Sequence, residues 1–396
     1  MRSHDRPMSG PARSFVAQDR GSGLRAHRPP NPVDFWRGLA LVFIFINHIP
    51  GTYYTRFTHA DYSISDSADL FVFLAGWALR YVVGPPERQQ SAWYLMLRLE
   101  GRALTLYAAQ ILITMIAIAM LAGVALWTSN PLLLEWHNAA AVFQDPIATH
   151  VGLALLTHQL GYFNILPLYV VLMMIAPVFV LIDRYSPHLL LPVSLAIYCV
   201  ALGFSITIPT WPVDGEWFFN PFAWQLIFVL GFIVAKKDSD IGNFARRNIF
   251  VLRIVAVPIV AFGAFVTMAF WWPDPTALPN PKLFFILSKS YESPPRVIQF
   301  LALITLFSVT YPFIERYAGR LVVFLSMLGR NSLYVFCVGS VLSLAGQIVR
   351  FLHRGNFYSD TAVIICGILL MALTAWLPEW RESIKARTSA RSVLSS

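Results

Sequence analysis

Stretches of about 20 mostly apolar residues, the length that carries a helix across a bilayer, recur along this 396-residue chain. Inside lipid, every backbone N–H and C=O must find its partner within the protein. The expected fold is therefore all-α: a polytopic integral membrane bundle of about ten transmembrane helices. The candidate spans are 35–50, 68–83, 103–127, 150–160 running on into 164–182, 189–207, 221–235, 249–271, 297–313, 325–349 and 361–378. The fourth has an alternative. Segment 146–160 (PIATHVGLALLTHQL) also reads as a short re-entrant or interfacial helix, with 164–182 as the crossing. No internal repeat or pair of broken helices of the transporter kind is visible.

Charge orients this bundle. Only 13% of the residues are charged and 57% are hydrophobic, whereas soluble domains carry about 25% charged residues. The net charge of +9 does not point to nucleic acid, because Lys and Arg collect in cytoplasmic loops of membrane proteins. With the N-terminus inside, 22 of the 30 basic residues fall on the inner side. Ten crossings then leave both termini cytoplasmic. Residues 1–33 read as a disordered basic tail, 34–380 as the membrane domain and 381–396 as a second basic tail. The first tail lacks the apolar core of a secretory signal. Cys199, Cys337 and Cys366 are far apart, with no metal spacing, and read as buried inert thiols. Trp211, Trp217, Trp271 and Trp272 sit in Pro-rich outer loops. They fit an interfacial aromatic belt, or a surface on which sugar rings stack.

The run DFWRGLALVFIFINHIPG (34–51) is an apolar helix with four costly residues. At 100° per residue, Arg37 and His48 lie about 20° apart on one face and about 16 Å apart along the axis. Asp34 shares that stripe. Ionisable residues in a bundle are candidates for function because desolvating them is expensive. The bland alternatives are snorkelling of Arg37, an Asp34–Arg37 ion pair and an interfacial His48 before the helix-ending Pro50-Gly51.

The next stretch, HADYSISDSADLFVFLAGWAL (59–79), offers Asp66 and Asp69 at the spacing of a capping box. Both carboxylates would stay at the His48 end of the first helix. His59 lies in the connecting loop. A histidine beside a carboxylate is the minimum for an oriented general base. At the other face, RLEGRAL (98–104) puts Arg98 and Arg102 four apart on one side of a helix. They read as a positive-inside anchor or as a clamp for phosphate groups.

Taken together, these residues resemble the OpgC family, membrane proteins implicated in succinylating osmoregulated periplasmic glucans. The resemblance rests on Asp34, Arg37 and Gly38; on Asn47, His48, Ile49, Pro50 and Gly51; and on Ser65, Asp66, Ala68, Asp69, Leu70, Phe71, Val72, Phe73 and Gly76. Asp69 stands where the family usually has Glu. Further similar blocks are GYFNILPLYVVLMMIAP (161–177), PRVIQFLAL (295–303) and LGRNSLYVFCVG (328–339).

The resemblance implies an O-acyltransferase of the wider acyltransferase-3-related group, in the bacterial cytoplasmic (inner) membrane. It implies a short acyl group, with succinyl favoured, moving from acyl-CoA as co-substrate to a periplasmic glucan or another surface glycan. No bound cofactor or metal is implied. The implied partners are the bilayer, the acyl donor, the glycan acceptor and glucan biosynthesis proteins. The implied catalytic group is His48, Asp69, Asp66 and Asn47. Asp34, Arg37, Arg98 and Arg102 would hold the donor. The spacing from Asn47 through His59 to Asp69-Leu70 is also similar to lysosomal heparan N-acetyltransferases, which points to His59 instead. The OpgC-like pattern favours His48. The competing expectation is a transporter or flippase that uses the same polar stripe without covalent chemistry.

Overall fold

The computed structural model describes residues 29–84, 91–236 and 239–394, so most of the expected N-terminal tail lies outside the described residues. The helices are α1 (Pro32–Asn47), α2 (Ser67–Val83), α3 (Ala92–Thr128), α4 (Ala140–Gln144), α5 (Pro146–Ala154), α6 (Ile165–Tyr185), α7 (Pro187–Gly203), α8 (Pro221–Ala235), α9 (Asp240–Arg247), α10 (Ile249–Met268), α11 (Pro294–Phe307), α12 (Thr310–Tyr317), α13 (Gly319–Arg330), α14 (Ser332–Leu352) and α15 (Phe357–Leu394). Residues 30–376 make one compact unit.

Five helices are long and apolar enough to cross a membrane: α3, α6, α10, α14 and α15 within Phe357–Lys385. The pair α11 and α12, bent by 46°, makes a sixth if it is one span. These helices are apolar on the outside as well as the inside. Only 17% of the α10 span and 22% of the α15 span is buried in protein, against 67% for α6. Lipid is the solvent that tolerates such faces. The protein is a multi-pass membrane protein, and α6 is the most buried of these five spans.

Several sequence expectations change. The span at 325–349 is two helices, α13 and α14, meeting at Asn331. The Asn331 side chain donates Nδ2 to the carbonyl of Met327 and helps to end α13. Segment 146–160 resolves into the short α5, which stops at Ala154 well before α6 begins. From 381 the chain continues as helix to Leu394. Cys199 and Cys366 are exposed and Cys337 is half-buried, so the expectation of three buried thiols is wrong. Apolar flanking residues cannot tell a core-facing thiol from a lipid-facing one. Trp217 belongs to the core and not to a surface belt, whereas Trp211, Trp271 and Trp272 are exposed.

Two backbone crossings bring α1 and α2 into the bundle. Gly38 of α1 lies on the Leu325 carbonyl of α13, and Gly329 of α13 lies on the Asp34 carbonyl of α1. Gly76 of α2 meets the Phe228 carbonyl of α8, and Gly231 of α8 meets the Phe73 carbonyl of α2. Each crossing is reciprocal, and a Cβ at any of the four positions would overlap a main-chain oxygen. Small residues at such contacts are how membrane helices approach closely. Gly76→Val is therefore expected to cost about 1–3 kcal/mol or more through overpacking. Gly123→Ala, where nothing lies within 4 Å of the added carbon, is expected to be neutral or stabilising. Thermal unfolding of the two variants in detergent checks the contrast. At the far end of α2, the Asp183 carboxylate accepts from Arg80 at 2.9 Å and from Lys236 at 2.8 Å, tying α2, α6 and the end of α8 together.

Candidate functional site

The bundle holds two cavities. One has a volume of about 600 Å³ and is lined by Asn47, His48, Asp66, Asn138, His158, Tyr162 and Lys289 among others. The other has a volume of about 510 Å³ and is lined by Arg37, Arg98, Arg102, Tyr169 and a mostly apolar wall. Phe336 lines both. Most of the polar residues singled out in the sequence thus fall into two groups. Asn47, His48 and Asp66 share the first cavity; Arg37, Arg98 and Arg102 share the second. Asp34, His59 and Asp69 line neither.

Local folding puts His48 where it is. Asn31 starts α1 by accepting the Asp34 N–H at 3.0 Å. Pro32 occupies the first turn, where its missing N–H costs nothing. Helix α1 ends at Asn47, and the chain turns through Gly51 at φ +82°. The His48 ring stacks on Tyr162 with centroids 4.2 Å apart, and its carbonyl accepts from Gln347 Nε2 at 2.5 Å. The same Gln347 accepts at Oε1 from His137 Nε2 at 2.9 Å. The His137 imidazole therefore carries its proton on Nε2, and burial pushes its pKa below the usual histidine value despite that hydrogen bond. His48 Nδ1 is buried with no hydrogen-bond partner among the described residues. Asn47 accepts at Oδ1 from the Thr58 hydroxyl at 2.8 Å, which fixes the amide so that Nδ2 remains its donor.

The two carboxylates at the start of α2 have separate roles. Asp66 caps the helix by accepting the Ala68 N–H at 2.8 Å. Asp69 closes the box by accepting the Asp66 N–H at 2.5 Å. Asp69 is fully buried and turned toward α11, where Arg296 donates to it at 3.1 Å. Arg296 also donates to Glu292 at 3.2 Å and to the carbonyl of Ile64. Gln299, one turn on, accepts the Ile64 N–H at 2.7 Å. Together they clamp the chain that enters α2. Asp66 instead faces the cavity and pairs with Lys289, whose ammonium also lies over the rings of Phe218 and Phe219. Burial raises the Asp66 pKa, but Lys289 and Arg296 outweigh it and hold the carboxyl well below its ordinary value.

Glu292 is the odd member. Burial and the neighbouring Asp69 push its pKa well up, with Arg296 opposing in part. An acid raised by folding binds more protons folded than unfolded, so its contribution to stability falls as pH rises through the raised value. Glu292→Gln is expected to flatten that slope. Its melting temperature should fall less than that of the parent protein between about pH 6 and pH 9. An unchanged slope would mean that Glu292 is ionised throughout.

Sequence reasoning missed His137, Tyr162, Lys289, Glu292, Arg296 and Gln347. Tyr162 and Arg296 do stand inside the similar blocks at 161–177 and 295–303, so those blocks carried the signal.

No curated protein matches the chain significantly. A sequence model of the OpgC protein family matches residues 28–383, which takes in both cavities and every helix from α1 to α14. The chain belongs to the OpgC family.

Proposed function

We propose that this protein is a membrane O-acyltransferase that moves a short acyl group, with succinyl favoured, from a cytoplasmic acyl-CoA to a hydroxyl of a periplasmic glucan or related surface glycan. Membership of the OpgC family supports a membrane acyltransferase-like role. The observation that carries the finer reading is the pair of cavities that meet at Phe336, one holding three arginines and the other His48. Arg37, Arg98 and Arg102 would hold the phosphates of the donor, for which guanidinium geometry is well suited. The thioester arm would extend from there to His48.

At His48 the imidazole takes the proton of the sugar hydroxyl as general base. The hydroxyl oxygen attacks the thioester carbonyl, and Asn47 Nδ2 donates to the oxyanion that forms. The C–S bond then breaks, and the CoA thiolate leaves and takes up the proton. Asp66 and Lys289 set the field around the acceptor. In this orientation the bundle has about ten crossings and both termini in the cytoplasm, in the inner membrane.

Acyl incorporation into glycans by inverted vesicles supplied with acyl-CoA, followed by mass spectrometry, tests the reading. Arg98→Gln with Arg102→Gln should raise the KM for acyl-CoA about tenfold or more, since a lost charge-assisted hydrogen bond costs about 1.5–3 kcal/mol. The transporter alternative predicts movement of an unmodified solute and no acyl-CoA turnover by purified protein. Acyl-CoA turnover separates the two.

A further inference from the structure

The wall between the two cavities is thin, and aromatic rings form part of it. On α2, Ser67 and Ala68 line the His48 cavity while Phe71 lines the arginine cavity, so the step is about one helical turn, roughly 4.5 Å along the axis. On α6 the change falls between neighbours: Ile165 lines one cavity and Leu166 the other. Phe336, on α14, is common to both. Its ring stacks on Phe71 with centroids 6.1 Å apart, and Phe71 packs on Tyr169 at 5.5 Å. All three side chains are buried.

Tyr169 adds a second observation. It is 7% exposed and lines the arginine cavity, yet its hydroxyl has no hydrogen-bond partner among the described residues. A buried hydroxyl left unpaired is costly. Such groups persist where a ligand completes them. Tyr169 lines the arginine cavity next to Phe71, whose ring stacks on the Phe336 ring that both cavities share.

We infer that Phe336, backed by Phe71 and Tyr169, is the constriction that selects the acyl donor by cross-section, and that the Tyr169 hydroxyl hydrogen-bonds an amide or thioester oxygen of the donor arm as it passes. This inference rests on the acyl-transfer reading. The ligand it specifies is a slender, unbranched chain carrying carbonyl groups. Turning the Phe336 ring opens the wall without moving a helix. In the closed position the ring keeps the water of one cavity from the other.

The test has two parts. The first needs no enzymatic activity. In full-length protein with Cys199, Cys337 and Cys366 replaced by serine, a single cysteine is placed in the His48 cavity as Ala60→Cys. A methanethiosulfonate reagent is then supplied only from the face of Arg98 and Arg102. Adding Phe336→Ala should raise the labelling rate at least tenfold. Phe336→Leu should leave it nearly unchanged. Equal rates for the parent, Ala and Leu proteins would overturn the constriction.

The second part is kinetic. Phe336→Ala should raise the relative kcat/KM for branched over straight-chain acyl-CoA about tenfold. Tyr169→Phe should raise the KM for acyl-CoA about fivefold, with a smaller effect on kcat. An unchanged preference and an unchanged KM would overturn the selective role. Labelling that responds to Phe336 in protein that turns over no acyl-CoA would keep the wall and remove the acyl-transfer reading.

Discussion

Replacing His48 by alanine is expected to lower acyl transfer by about 10²–10⁴-fold, the usual contribution of a positioned general base. The effect should fall on kcat, because the arginine cavity that would hold the donor is left intact. The variant also loses the stack on Tyr162, so its folding is checked by thermal unfolding in detergent. His48→Gln, which keeps a flat polar side chain, should be equally inactive and better folded. The readout is acyl incorporation into glycans by vesicles. Folded His48→Ala protein with full activity would remove His48 from the chemistry. His59 is the alternative that the sequence left open. Its ring packs against Phe43 with centroids 5.7 Å apart and it lines neither cavity, so His59→Ala is expected to cost little.

Arg296→Met is expected to have the second large effect, on folding rather than on rate. Arg296 is the cation between the buried Asp69 and Glu292, and it also holds the carbonyl of Ile64. Removing one partner of such a cluster leaves charge buried without compensation, which costs about 3–5 kcal/mol. Lysine should not rescue it, because one ammonium cannot reproduce a fork that reaches three acceptors. Adding Asp69→Asn should recover part of the loss, since it removes the stranded charge. A double-mutant cycle on melting temperature measures that coupling. Strict additivity of the two substitutions would mean that they do not share one network.

How far was this arrangement legible in the sequence? The stripe of Arg37 and His48 was, because both lie on one helix and helical geometry is fixed over such a length. Arg98 and Arg102 were legible for the same reason. Their meeting with Arg37 was not, since it depends on how α3 packs against α6 and α14. Asp66 and Asp69 were readable as a capping box. Their division of labour was not, because it is decided by Arg296 and Lys289, more than 200 residues away. The break at Asn331 falls in the short polar run Arg330-Asn331-Ser332, which the apolar sequence on both sides masks when hydropathy is averaged over the length of a span. Cys199 and Cys366 were misplaced for a related reason: in a membrane protein, apolar sequence faces both inward and outward. Gly38 and Gly76 were noticed only as parts of a resemblance. The structure supplies their cause, a main-chain oxygen where a Cβ would go.

Those glycine crossings have a mechanical consequence. Where main chain touches main chain, no side chain remains that could change rotamer and let one helix ride over another. Helices α1 and α2 are each fastened in this way, to α13 and α8 respectively. They are the helices that end or begin at Asn47, His48 and Asp66. Each of these two helices is therefore hindered from ratcheting past the neighbour to which it is fastened. Any motion in which α1 slides along α13, or α2 along α8, would have to break such a main-chain contact.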